Sequence, residues 1–266
     1  MIHLFTPEGR AALERLARQV TLYGFDFDGT LAPIVARPEN AVASDLTVRK
    51  LSMLGALVRV ALLTGRSVAD MRQRIEFTPL HLIGNHGAEG LPLPLHHSLA
   101  DSLMASEGTP DHGSIARGWL KQWPSAIAGR SDDPGIFVED KTYSISIHYR
   151  LATDRDAAER AIAAAVATLA PSPHVTGGKC IFNLVPDGAP DKGRAMATLV
   201  RFEHCDAAFY IGDDETDETV FHGAPAHWVT VHVGESWDSA ARFFIRHQGE
   251  IDRCLDLLIA NAEAAT

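Results

Sequence analysis

Cysteine is scarce in this chain and is not grouped for use. Cys180, Cys205 and Cys254 are odd in number and far apart, with no CxxC pair and no zinc-ligand spacing. That excludes a disulfide framework and a zinc module, and a reducing cytoplasm is the expected setting. No apolar run approaches the ~20 residues of a membrane span. The opening residues, Met1 to Glu8, lack the basic and apolar regions of a secretory leader. Basic charge is also short: 24 Lys and Arg stand against 34 Asp and Glu, for a formal net charge of −10. Phosphate neutralisation dominates nucleic-acid affinity, so an acidic chain without a basic run is a poor nucleic-acid binder. It is an equally poor match for an anionic membrane surface. Low-complexity tracts and internal repeats are absent too.

What remains is an ordinary globular composition of 266 residues, 46% hydrophobic and 22% charged. The length suffices for one large domain or two modest ones with cores that need no covalent staple. Thr6-Pro7 reads as a helix cap followed by proline at the first helical position, with Leu13, Leu16, Ala17 and Val20 at helical spacing. Residues 21–27 read as a buried strand. Ser44 caps a second helix, 58–63 is a second strand, a helix runs to about residue 76, and 80–83 is a third strand. This alternation predicts βαβ units on a parallel sheet. The rhythm then breaks. Pro92, Pro94, His96 and His97 read as a linker. A helix over 115–127, a hairpin or bulged strand over 136–150, an alanine-rich helix over 154–169 and a strand over 179–185 make a second α/β unit. After Pro186 the first rhythm resumes: a helix from Asp191, strands over 207–211 and 228–233 with a helix between, and helices from Trp237 onward. The expected fold class is α/β, a Rossmann-like parallel-sheet core (1–94 and 187–266) interrupted by an inserted α/β domain (95–186). Trp119, Trp123, Trp228 and Trp237 read as core or interface anchors.

Ligands of such cores bind beyond the carboxyl ends of the strands, and four short motifs fall there. Asp26-Phe27-Asp28-Gly29-Thr30 carries two carboxylates on one face of an extended segment, then a glycine for a sharp turn. Thr64-Gly65-Arg66-Ser67 offers a hydroxyl and backbone N–H groups at a helix start, a phosphate cradle. Asp191-Lys192-Gly193 offers a point positive charge. Residues 212–218 hold five carboxylates in seven positions, which repel one another unless a cation is near. Oxygen-only ligands suit Mg²⁺. Each motif alone is an ordinary turn or charged helix start; the set is informative because all of them end strands of one sheet.

In this order, the set resembles the haloacid dehalogenase superfamily of phosphotransferases. The resemblance implies that Asp26 is a nucleophile forming an aspartyl-phosphate and that Asp28 protonates the leaving oxygen and then activates water. It implies that Thr64 and Lys192 hold the phosphoryl oxygens. Mg²⁺ is then bound by Asp26, the carbonyl of Asp28 and Asp213, with Asp214 and Asp217 in support. Residues 23–34 and Gly84-Asn85-His86-Gly87-Ala88-Glu89 are similar to motifs of the trehalose-6-phosphate phosphatase family. So are Glu139-Asp140-Lys141, Ser144, His148-Tyr149-Arg150 and Gly178-Lys179 in the insert. The family resemblance implies a mobile cap and substrate contacts from Gly65, Arg66, Asn85, His86, Glu139, Lys141, Arg150, Lys179 and Asn183. It departs at Asn183 and Val185, where the family usually has glutamate and arginine. The expected activity is hydrolysis of trehalose 6-phosphate to trehalose and phosphate by a monomer or weak oligomer. Alternatives are another sugar phosphate, such as sucrose phosphate or a glucosyl phosphate, and a non-catalytic sugar-phosphate sensor or synthase partner.

Overall fold

The computed structural model describes residues 1–35, 37–92, 112–178 and 180–265. The linker histidines His96 and His97, and Lys179, lie outside the described residues. The chain divides into two compact units, Met1–His96 with Pro190–Thr266, and His97–Ala189.

The first unit is built on a parallel sheet. Its strands are β1 (Ile2–His3), β2 (Thr21–Phe25), β3 (Arg59–Leu63), β4 (His81–Ile83), β9 (Ala207–Gly212), β10 (Val229–Val233) and β11 (Phe243–Ile245). Their spatial order is β1-β11-β10-β9-β2-β3-β4, and every pair is parallel. Helices α1 (Pro7–Ala17), α2 (Asp45–Leu57), α3 (Val68–Arg72), α6 (Lys192–Phe202), α7 (Glu218–Gly223) and α8 (Ile251–Ala265) complete it. Successive residues of a strand face opposite sides, and both sides are buried. Tyr23, Phe25, Leu62, Phe209 and Ile211 pack with Leu13, Leu51, Leu54 and Leu255 on one side. Leu22, Ala61, Leu63, Ala208 and Tyr210 pack with Met196, Leu199 and Phe221 on the other. Such strands read as continuous apolar runs, which is why β2, β3 and β9 are visible in the sequence.

The helix starts follow their caps. Thr6, Ser44, Ser67 and Asp191 each accept a hydrogen bond from a first-turn N–H of the helix that follows. Helix α3 stops at Arg72, short of the expected residue 76, and the chain leaves it through a tightened turn in which Gln73 and Arg74 N–H donate three residues back to the Asp70 and Met71 carbonyls. The segment after Trp237 also differs from expectation. It contains β11 before α8 begins at Ile251. Phe243 and Ile245 are buried because β10 and β1 close on either side, a tertiary pairing that no local pattern announces. Trp119, Trp123 and Trp228 are buried, whereas Trp237 is 93% exposed and takes no part in the core.

The second unit is an antiparallel sheet with spatial order β5-β6-β8-β7. Its strands are β5 (Phe137–Asp140), β6 (Ile145–His148), β7 (His174–Gly178) and β8 (Ile181–Val185), with α4 (His112–Ile127) and α5 (Arg155–Val166). Ile145, Ile147 and Leu184 pack with Trp119, Trp123 and Ile162 to form its own core. The segment over 136–150 is a hairpin, turning at Lys141–Ser144. Strand β7 is an addition to the expectation; it ends in Gly177-Gly178, which have low strand propensity, and pairing with β8 holds it. No helix among the described residues is long and apolar enough to cross a membrane.

Candidate active site

Strands β9, β2, β3 and β4 are neighbours and parallel, so their carboxyl ends share one edge of the sheet. Asp26, Thr64, Asn85 and Asp213 each lie within two residues of such an end. Lys192 reaches the same place as the first residue of α6, whose start is set by the Asp191 cap.

At the centre is a buried ion cluster. Lys192 Nζ donates to Asp26 Oδ1 at 2.7 Å and to Asp217 Oδ1 at 2.8 Å. Asp26, Lys192 and Asp217 are all nearly inaccessible to water. Asp217 also accepts from the Tyr210 hydroxyl at 2.6 Å and from the backbone N–H groups of Asp213 and Asp214 at 3.0 and 3.1 Å. Both Asp217 oxygens are therefore occupied by donors from β9, α6 and its own loop. Asp217 thereby braces the acidic loop against the lysine. Tyr210 carries no sequence signal for this role, since a buried-strand tyrosine reads as another apolar residue; burial pushes its phenol well above its ordinary range.

The cluster holds more negative charge than Lys192 offsets. Asp26, Asp213 and Asp217 each place a carboxylate oxygen within 4.8 Å of the others. Burial, and then the neighbouring carboxylates, push Asp213 up to about 7. Asp26 is also raised well above its ordinary range, by burial first, with Lys192 opposing. Asp214 is held down at about 2: burial raises it, but Lys192, the Thr216 hydroxyl and His86 outweigh burial. A carboxylate pushed up to about 7, as at Asp213, marks a site short of positive charge. An all-oxygen donor set with such a deficit fits a hard divalent cation. Close packing supports the same geometry. Gly29, at φ 88°, lies where any side chain would collide with the Asp213 carboxylate. Thr30 Oγ1 donates to Asp213 Oδ1 at 3.4 Å.

The other core residues surround this cluster. Thr64 is buried, and its hydroxyl accepts from Arg66 N–H at 3.1 Å. Gly65 has no room for a side chain because the His86 imidazole lies against it. Asn85 and His86 both adopt left-handed backbone, φ 50° and 57°, which aims His86 back over Gly65. Asn85 Nδ2 donates to Glu89 Oε2 at 2.7 Å, and Val68 N–H donates to the same oxygen at 2.9 Å. Glu89 thus ties the turn after β4 to the start of α3. Asp28 is only partly buried and meets Arg66 through both carboxylate oxygens, at 2.6 and 2.7 Å.

In the insert, strand register groups two of the expected substrate residues, Glu139 and Asn183. Glu139 pairs with Ser146, and Ser146 pairs with Asn183, in one row across three strands. This row is on the face opposite Ile145 and Ile147, which belong to the core. Ser146 Oγ donates to Asn183 Oδ1 at 2.6 Å, and both are buried. Ser146 was not singled out by sequence motifs; the alternation of Ile145, Ser146, Ile147 and His148 is its signal. Glu139 Oε2 contacts His148 Nε2 at 2.9 Å and Lys141 Nζ at 3.9 Å. Arg150 follows β6, and its carbonyl accepts from Arg155 Nε.

Comparison with known proteins bears on the same residues. A family model described as trehalose-phosphatase matches residues 24–102 and 128–248. A trehalose-phosphate phosphatase of Mycobacterium bovis is 32% identical over 232 residues, covering 84% of this chain and 56% of that protein. One of Mycobacterium marinum is 31% identical over 223 residues, covering 80% and 54%. The chain thus spans about half the length of these curated relatives. The C-terminal domain of the Candida albicans trehalose-6-phosphate phosphatase superposes with a TM-score of 0.75 at 24% identity, covering 94% of this chain and 96% of that one. A trehalose-6-phosphate phosphatase related protein gives 0.71 at 22% identity, covering 92% and 100%. Those structures carry the fold, and the model match takes in the strand ends after β2, β3, β4 and β9 together with the row on the insert; this chain belongs to the trehalose-phosphatase family.

Proposed function

We propose that the chain is a Mg²⁺-dependent phosphatase that hydrolyses trehalose 6-phosphate to trehalose and phosphate. The observation that carries this reading is the buried Asp26 carboxylate, held by Lys192 at 2.7 Å within a cluster short of positive charge. Asp26 attacks phosphorus, the ester P–O bond breaks, and Asp28 delivers a proton to the departing sugar oxygen. Water then attacks the aspartyl-phosphate, Asp28 takes its proton, the bond to Asp26 breaks and phosphate leaves. Lys192 offsets the repulsion between nucleophile and substrate, while Thr64 and the N–H of Gly65 hold phosphoryl oxygens. Asp26, Asp213 and the Asp28 carbonyl would hold Mg²⁺, with Asp214 and Asp217 behind them. When bound, the ion supplies neutralisation of the phosphoryl charge.

Residues 95–186 act in this reading as a specificity cap, reading sugar hydroxyls through Glu139, Lys141, Arg150, Lys179 and Asn183, with Asn85 and His86 contributing from the core. A second reading, hydrolysis of a different sugar phosphate, is favoured by one observation. Asn183, which accepts from Ser146 Oγ at 2.6 Å, is uncharged at the position where the family resemblance implies a glutamate. Phosphate release across a panel of sugar phosphates decides between them. A specificity constant for trehalose 6-phosphate well above the rest supports the first reading; equal turnover of simple hexose phosphates sinks it. Absence of phosphate release from every substrate with Mg²⁺ favours a non-catalytic sensor. Three free cysteines suit a cytoplasmic setting.

A further inference from the structure

Four side chains beside the strand ends form a ladder of alternating charge. Arg66 Nε and Nη2 fork onto both oxygens of Asp28 at 2.6 and 2.7 Å. Arg66 Nη1 donates to Asp70 Oδ2 at 2.9 Å. Arg74 grips Asp70 through two further hydrogen bonds, both 2.8 Å. Arg74 Nη1 then donates to the carbonyls of Glu39 at 2.8 Å and Ala41 at 3.4 Å, anchoring the ladder in the backbone before α2. The Arg66 guanidinium lies 5.8 Å from the centre of the Phe27 ring, and its side chain is 11% exposed. Its own carbonyl accepts from Asn85 N–H at 2.8 Å, which fixes its backbone. A bidentate fork sets the plane and direction of a carboxylate, which a single point charge does not.

We propose that Arg66, braced by Asp70 and Arg74, is the positioning residue for Asp28 and does not bind the substrate phosphate. The proposal rests on the phosphatase reading and gives Asp70 and Arg74 a role in it. Asp28 has to meet the leaving sugar oxygen first and the attacking water second. A carboxylate held through both oxygens keeps one orientation for both events. The ladder transmits that orientation from the segment before α2 to the reacting end of the site.

The test uses two substrates that differ in their leaving group. A sugar alkoxide needs a proton to depart, whereas p-nitrophenolate does not. For Arg66→Gln, kcat/KM for trehalose 6-phosphate is expected to fall about 100-fold, the scale of a lost acid–base contribution. With p-nitrophenyl phosphate, kcat/KM stays within about threefold, since it reports only the step that needs no proton. A pre-steady-state burst of p-nitrophenol appears in the variant, because water activation by a misaligned Asp28 becomes limiting. Arg66→Lys keeps the charge but not the fork, and stays impaired. Asp70→Asn shows the same split at smaller size, about fivefold, and carries the test if Arg66→Gln does not fold. Equal loss on both substrates, or tenfold weaker inhibition by inorganic phosphate, overturns the proposal. If the unsubstituted enzyme releases phosphate from neither substrate, the phosphatase reading fails instead.

Discussion

The polar cluster at the sheet edge and the polar row on the insert are built on different physics. Around Asp26, Lys192 and Asp217, charged groups are almost wholly buried and tightly over-determined, with Asp217 accepting from Lys192, Tyr210 and two backbone N–H groups. On the insert, the row is carried by a neutral serine–asparagine pair, with a partly exposed glutamate beside it. A buried charge set tolerates almost no variation, because each member left unpaired costs several kcal/mol. Neutral hydrogen-bonding groups can be exchanged at about 1 kcal/mol each. In the proposed function, reaction chemistry belongs to the first region and substrate choice to the second. The second also holds Asn183, uncharged and buried.

Substitutions can break this contrast, and the largest effect is expected at Asp26, the proposed nucleophile. Asp26→Asn is expected to lower phosphate release by on the order of 10⁴-fold or more with the fold intact by circular dichroism. Near-normal turnover in that variant would remove Asp26 from the mechanism. Chelation with EDTA should take activity to the same floor, and Mg²⁺ should restore it; indifference to chelation removes the metal. Asp217→Ala leaves the Tyr210 hydroxyl and the Asp213 and Asp214 N–H groups without their acceptor and Lys192 with Asp26 alone, and should cost about 2–3 kcal/mol in denaturant unfolding. A change below about 1 kcal/mol would show that the cluster is not over-determined.

A smaller effect concerns pH. Asp213 is raised from 3.8 to about 7, so the folded metal-free chain binds a proton that the unfolded chain has released. Its contribution to stability is complete below about pH 4 and is lost as pH rises towards 7. Asp214, lowered to about 2, has the opposite sign, and its contribution disappears only below pH 4. The thermal midpoint of the metal-free protein should accordingly fall between about pH 4 and 7, and Mg²⁺ should flatten that slope. A midpoint that rises over this range in the metal-free protein contradicts the charge deficit. The smallest effect belongs to the insert: Ser146→Ala should raise KM for trehalose 6-phosphate severalfold and leave kcat/KM for p-nitrophenyl phosphate unchanged. Equal changes for both would mean that the row supports the fold and not the sugar.

Much of this is legible in the amino-acid order. Strands β2, β3 and β9 are runs of apolar residues ending in chemistry-bearing turns, and the caps Thr6, Ser44 and Asp191 are explicit. Asp26, Thr64, Lys192 and Asp213 are readable because their motifs are local. Tyr210, Asp70 and Arg74 are not, because each acts on a partner from a different motif or on an ordinary helix surface. Strand β11 hides for a related reason: a three-residue strand has too short a pattern to stand apart from a helix, and only β1 and β10 define it.

The sequence by itself determined a parallel α/β core with an insertion, and the chemical types gathered at its strand ends, because strand periodicity and turn chemistry are short-range properties. Tertiary structure decided which donors each carboxylate meets. It turned Asp217 towards Lys192 and Tyr210, and Asp28 into the fork of Arg66. Those pairings join residues from separate motifs, Asp28 with Arg66 or Lys192 with Asp26 and Asp217, and they exist only once the strands are in register and water has been removed from between the charges.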